Sequence, residues 1–202
     1  MNDLTKRTWP VSARARDLHD AALVWDSHSC LPLKAGVDIS DLERHRAAGI
    51  DYVSVNVGMD FNPLPQVIRV LATFRGWLAA RPERYAIAGT VEDVRRAKAQ
   101  GKLAVTFDLE GSDMIEGDID MLRLYRDLGV RQMHLAYNRD NPIAGGCHGA
   151  DIGLSALATR SWPRSTASAS LWIARTPAIA PAWMSWRRRP SPSCSPIPAS
   201  VS

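Results

Sequence analysis

Apolar and polar residues follow two periods along this chain, and the two periods take turns. Residues 52–57 (YVSVNV) alternate strictly and are rich in β-branched side chains, which predicts a strand. Residues 65–80 carry apolar side chains at Val67, Ile68, Leu71, Phe74 and Leu78, the stripe of one helix face. Short apolar runs at 22–26 (ALVWD), 85–88, 103–109 (LAVTFDL) and 130–136 predict further strands. Between them, 40–48 predicts a helix with Ser40 as N-cap and Glu43 at the capping-box position. Residues 90–100 predict another, capped by Thr90 with Asp93 behind it and stopped by Gly101, and 118–128 a third, ended by Gly129. A βαβα series with short connections builds parallel sheets with right-handed crossovers, so the fold class is α/β. An open doubly wound sheet and a (β/α)8 barrel share this period.

The series stops near residue 157, and composition changes there. Residues 159–202 contain no Asp, Glu, Lys, Asn, Gln, His, Phe or Tyr, yet hold four of the seven Trp. All 21 acidic residues lie at or before Asp151, so the formal charge of +4 belongs to the tail and is no nucleic-acid footprint. The chain therefore divides into an extension at 1–19, an α/β unit at 20–157, and a tail at 158–202 that is out of frame or disordered. A Pro/Ser linker would explain part of the tail's composition, but linkers are poor in Trp and Ile. The N-terminus lacks an apolar signal region, and no run is long enough to span a membrane. Three cysteines suggest no disulfide framework, which fits a cytoplasmic location.

Candidate chemistry gathers just past the predicted strands. His28 and Cys30 are two residues apart, so in extended chain they share a face, and both are zinc-ligand types. Asp108 and Glu110 end the LAVTF strand on one face, and a carboxylate there is expensive to bury unless paired or metal-bound. Alone, these signals read more readily as a structural or solvated histidine and a solvated loop acid. Tyr137 and Asn138 open a polar loop after 130–136, the functional end if the fold is a barrel. Cys147 and His148 lie in a Gly-rich connector, and no phosphate-cradling glycine pattern is present.

Taken in order, WDSHSCLPL, VTFDLEG and LGVRQMHLAYNRDNP…GLSAL resemble the membrane (renal-type) dipeptidase family over about residues 20–157. The resemblance implies a (β/α)8 barrel carrying two zinc ions bridged by a glutamate. It implies hydrolysis of dipeptides, some with D-residues, or of related amides, and it admits a homodimer. On that pattern His28 is a first-strand zinc ligand and Glu110 the bridging and catalytic carboxylate. Cys30 stands where the family usually has Asp, a softer donor that would alter metal preference. Tyr137, with Asn138 beside it, stands at the substrate-facing position usually held by His. Both features resemble a bacterial branch of the family.

The family also places two zinc-binding histidines on later strands, whereas this chain has no His after His148. Back-translating residues 171–198 and stepping the frame back by one base, with permitted choices at degenerate positions, yields VDCSHTGYRTSMDVMEAASKPVMFSHS. That string holds two strand-then-SH segments resembling the missing ones. Trp183-Met184 constrains it strongly, forcing Met-Asp or a close relative. The expectation is a truncated dipeptidase retaining at most one zinc, with a small peptide or amide substrate and no nucleic-acid or membrane partner. The competing readings are another barrel amidohydrolase or lactonase, which would favour an HxH pair over this His-Ser-Cys, and a non-catalytic frameshift product.

Overall fold

Alternation in the strands sorts side chains onto two faces, and each face meets a different environment. The computed structural model describes residues 10–150 and 152–159, together with the backbone of 171–173. Strand β1 (Trp25–Ser29) pairs β2 (Tyr52–Met59), and β2 pairs β4 (Leu103–Glu110), all parallel. The short β3 (Tyr85–Ile87) lies along the first residues of β4, and β5 (Val130–His134) pairs its later ones. The backbone of β6 (Leu171–Ile173) continues the sheet parallel to β5. Along β2 and β4, Val53, Val55, Val57, Val105, Phe107 and Leu109 point to one side and join the core. There they meet Val67, Val70, Leu71, Phe74 and Leu78 of α3 (Leu64–Ala79). The opposite face carries Ser54, Asn56, Thr106, Asp108 and Glu110, all buried. A sheet covered on both faces, apolar towards the helices and polar inside, is the arrangement of a barrel wall.

The helices follow local chemistry. In α4 (Val91–Ala99) the Thr90 hydroxyl accepts from the Asp93 N–H while the Asp93 carboxylate accepts from the Thr90 N–H, the predicted capping box. Gly101 then takes φ +68°, a left-handed turn that ends the run. The box expected at Ser40 does not form. Asp38 captures the Ser40 N–H and hydroxyl, so α2 (Leu42–Ala47) starts late and without a side-chain cap. Likewise Asp118 accepts from the Asp120 N–H, and α5 (Met121–Asp127) begins three residues after the predicted start.

Strand ends also shift. The first strand spans 25–29 rather than 22–26, because Val24 N–H bonds the Asp51 carboxylate and the Ala22 carbonyl accepts from Lys98. Strand β5 stops at His134 because the Leu135 carbonyl accepts from Ser112 Oγ and Asn141 Nδ2 instead of a neighbouring strand. A helix that the pattern did not predict, α1 (Ala13–Ala21), starts on Ser12 and buries none of its residues. Apart from 158–159 and the backbone of β6, the expectations for the tail lie outside the described residues.

Candidate functional site

Strands β1 and β4 flank β2, so side chains from their C-terminal ends can meet above it. His28 does this. Its Nδ1 lies 3.0 Å from Asp108 Oδ1, and its Nε2 lies 3.1 Å from Glu110 Oε1. Cys30 Sγ approaches the same Nε2 at 3.3 Å. The ligand atoms of His28, Cys30 and Glu110 all fall within 4.8 Å of one another. The strand-end face expected for His28 and Glu110 is thus a shared one.

Asp108 explains why His28 is held so closely. Its carboxylate is buried and accepts from Ser54 Oγ at 2.7 Å and Asn56 Nδ2 at 3.1 Å, both on β2. With the Nδ1 side fixed on Asp108, Nε2 is the ring atom turned towards Glu110 and Cys30. The Asp108 hydrogen bond, then the Glu110 one, push the His28 imidazole up to about 11, against the opposing effect of burial. The ring bridges the two carboxylates. Glu110 is 3 % exposed and its Oε2 is buried with no hydrogen-bond partner. An orphaned buried carboxylate oxygen is costly. Beside an imidazole and a thiol, it forms a donor set that suits a divalent cation.

The remaining candidates lie one loop away. Tyr137 and Asn138 follow β5, both half-buried, and stand outside the three-donor cluster. Tyr137 N–H donates to Asp60 Oδ2 at 2.9 Å, and Asn138 Oδ1 accepts from Cys147 Sγ at 3.3 Å. Cys147 is exposed, and neither it nor His148 joins a metal-capable group among the described residues. Sequence reasoning missed Ser54 and Asn56, whose strand parity was the available signal. It also missed Asp60, and His134, which is buried with its ring centroid 6.2 Å from that of His28.

A parallel sheet with helices outside, a polar inner face and His, Cys and Glu donors at the strand ends defines the class: part of a (β/α)8 barrel with a candidate metal centre at its strand ends. The chain belongs to the membrane dipeptidase family (peptidase family M19), whose model matches residues 12–159. No relative among curated proteins matches. Among solved structures, the chain is similar to the probable dipeptidase PvdM from Pseudomonas aeruginosa, with a TM-score of 0.69 and 19% identity over 81% of this chain and 49% of that one. It is similar to an amidohydrolase from Pseudomonas aeruginosa, with a TM-score of 0.68 and 19% identity over 76% of this chain and 46% of that one. A metallopeptidase from Rhodobacter sphaeroides, liganded with a phosphinate mimic of the dipeptide L-Ala-D-Ala, gives a TM-score of 0.59 and 17% identity over 74% of this chain and 57% of that one. At these identities the likeness establishes the fold. The chain spans about half the length of the solved structures it matches.

Proposed function

We propose that the chain is the N-terminal half of a zinc-dependent dipeptidase that cleaves dipeptides or related amides, with His28, Cys30 and Glu110 as metal ligands. The observation that carries this is the convergence of three donor atoms within 4.8 Å, one of them on a carboxylate with a buried, unpartnered oxygen. Imidazole, thiolate and carboxylate together favour zinc over the hard cations. A zinc ion held there would polarise the scissile carbonyl and supply a nucleophile at neutral pH. The protein's own part is orientation: Ser54 and Asn56 hold Asp108, Asp108 holds His28, and Glu110 turns Oε1 to His28 while its Oε2 stays buried and unpartnered. Tyr137 and Asn138 face the substrate from the next loop.

The barrel reading covers residues 20–157, and residues 158–202 are translated one base out of frame. This is supported by the compositional break, the absence of His after His148, and the strand-then-SH segments that the shifted frame restores. The shifted string begins at the residue where β6 begins, the next place along the sheet after β5. The chain as it stands then holds at most one zinc and hydrolyses poorly. Metal content and turnover of a dipeptide panel, measured for this chain and a frame-corrected version, test both parts. Two zinc per chain with turnover in the uncorrected protein would sink the frameshift. Failure of both versions to bind zinc would sink the metallohydrolase reading.

A further inference from the structure

We propose that Asp60 is a positioning residue, whose carboxylate clasps the ends of β2, β4 and β5 and sets Glu110 relative to the Tyr137 loop. The inference rests on the reading of Glu110 as a ligand, and its structural arm is independent of that reading.

Where parallel strands end, their loops carry backbone N–H groups with no neighbour to bond. A carboxylate is an acceptor with room for several such donors. Asp60, directly after β2, fills this role at three places. Its Oδ1 accepts from the Asp113 N–H at 3.3 Å, in the turn just past Glu110. Its Oδ2 accepts from the Tyr137 N–H at 2.9 Å. The Asn141 amide reaches Oδ1 and Oδ2 at 3.4 and 3.5 Å. On the backbone side, the Asp60 N–H donates to the Glu110 carbonyl at 3.0 Å. One residue therefore bonds the ligand-bearing strand end itself, the turn after it, and the loop that carries Tyr137.

Gly111 is the second observation. It follows Glu110 at φ +113°, and a Cβ built on it would fall inside the Asp60 carboxylate. The bare backbone at 111 is what admits the clasp. The surroundings are closed as well. Asn141 donates to the Leu135 carbonyl at 2.9 Å and accepts from Ile143 and Ala144. Ser112 Oγ donates to the same Leu135 carbonyl at 2.6 Å. Burial pushes the Asp60 carboxyl up, as expected for an acid enclosed by the fold and balanced only by N–H donors.

The test is the zinc affinity of Asp60→Asn, by competition with a chromophoric chelator, alongside amide exchange at Asp113 and Tyr137. An asparagine keeps the shape but turns one acceptor into a donor facing donors. The expected result is a drop in affinity of about tenfold or more at unchanged folded fraction, as for other groups that orient a ligand. Protection at Asp113 and Tyr137 falls together. Should Asp60→Asn fail to fold, Gly111→Ala displaces the same carboxylate, and its effect is expected to be smaller in an Asp60→Ala background. Unchanged protection in Asp60→Asn overturns the proposal. So does zinc affinity that falls only in proportion to the unfolded fraction, and so does a Gly111→Ala effect equal in both backgrounds. Absence of zinc binding in the parent chain counts against the metallohydrolase reading, and the exchange arm still decides the clasp.

Discussion

At the scale of single residues, His28 depends on a group that touches no ligand position. Asp108 holds its Nδ1 at 3.0 Å and is itself held by Ser54 and Asn56. Asp108→Asn keeps the volume but removes the charge, and leaves the imidazole free to present either nitrogen. Zinc affinity is expected to fall by about 10- to 100-fold, measured by competitive titration. An unchanged affinity would mean that His28 is oriented some other way. Cys30 makes a separate prediction. With cobalt(II) in place of zinc, the parent chain shows thiolate-to-metal charge-transfer absorption in the near ultraviolet, and Cys30→Asp binds cobalt without it. A cobalt complex of the parent lacking that band removes Cys30 from the ligand set. The sequence singled out His28, Cys30 and Glu110 through the family resemblance of three motifs taken in order, since the spacing of each pair alone is a weak signal. It left Asp108 ambiguous because a solvated acid and a buried one look alike until Ser54 and Asn56, some fifty residues earlier, are seen to meet it.

At the scale of elements, the first five strands and helices α2 to α5 were legible, whereas α1, β6 and several boundaries were not. Alternation in 52–57 and 103–109 survives because it serves two environments, helices outside and polar groups inside. The cap at Thr90 forms because its N–H and hydroxyl pair with Asp93 ahead of it, whereas at Ser40 a preceding Asp38 takes both. Thr90→Ala is therefore expected to destabilise by about 1 kcal/mol and Ser40→Ala by much less, measured by denaturant unfolding. Equal effects would contradict the cap assignment. Glu43, freed from capping, instead joins α2 to the start of β3. It accepts from the Tyr85 hydroxyl, Arg46 and Arg84. The Tyr85 bond, then the Arg46 bond, pull its carboxyl down from 4.5 to about 2. A depressed acid stabilises the fold above its unfolded value and loses that contribution as protons bind the folded form. The loss is confined to the window from about 4.5 down to about 2. Glu43→Gln is expected to flatten the fall of melting temperature across that window relative to the parent, and superimposable profiles would show that the pair adds no pH-dependent stability.

At the scale of the whole molecule, the βαβα period announced a parallel sheet but did not choose between an open sheet and a barrel. The choice lies in the inner face. An open sheet covers both faces with helices and asks for apolar residues on each. Here the inner positions towards the C-terminal ends of β2 and β4 are Ser, Asn, Thr, Asp and Glu, with Tyr52 and Ala104 below them. A barrel closes when its first strand pairs with its last. Among the described residues β1 pairs only β2, so its outer edge has no strand neighbour there, and only the His28 N–H is seen to be taken, by the Asp26 carboxylate. Such an edge recruits another chain unless something blocks it. The chain as it stands is therefore expected to self-associate as concentration rises, read by light scattering. Ser27, exposed on β1, is the place to intervene. A lysine on an edge strand resists pairing, so Ser27→Lys is expected to reduce the association. On the frameshift proposal, a later strand of the corrected chain covers that edge, and the same substitution is expected to leave scattering unchanged. Equal scattering by the parent and Ser27→Lys, with the corrected chain no more soluble than either, would place the association elsewhere on the molecule and separate solubility from barrel closure.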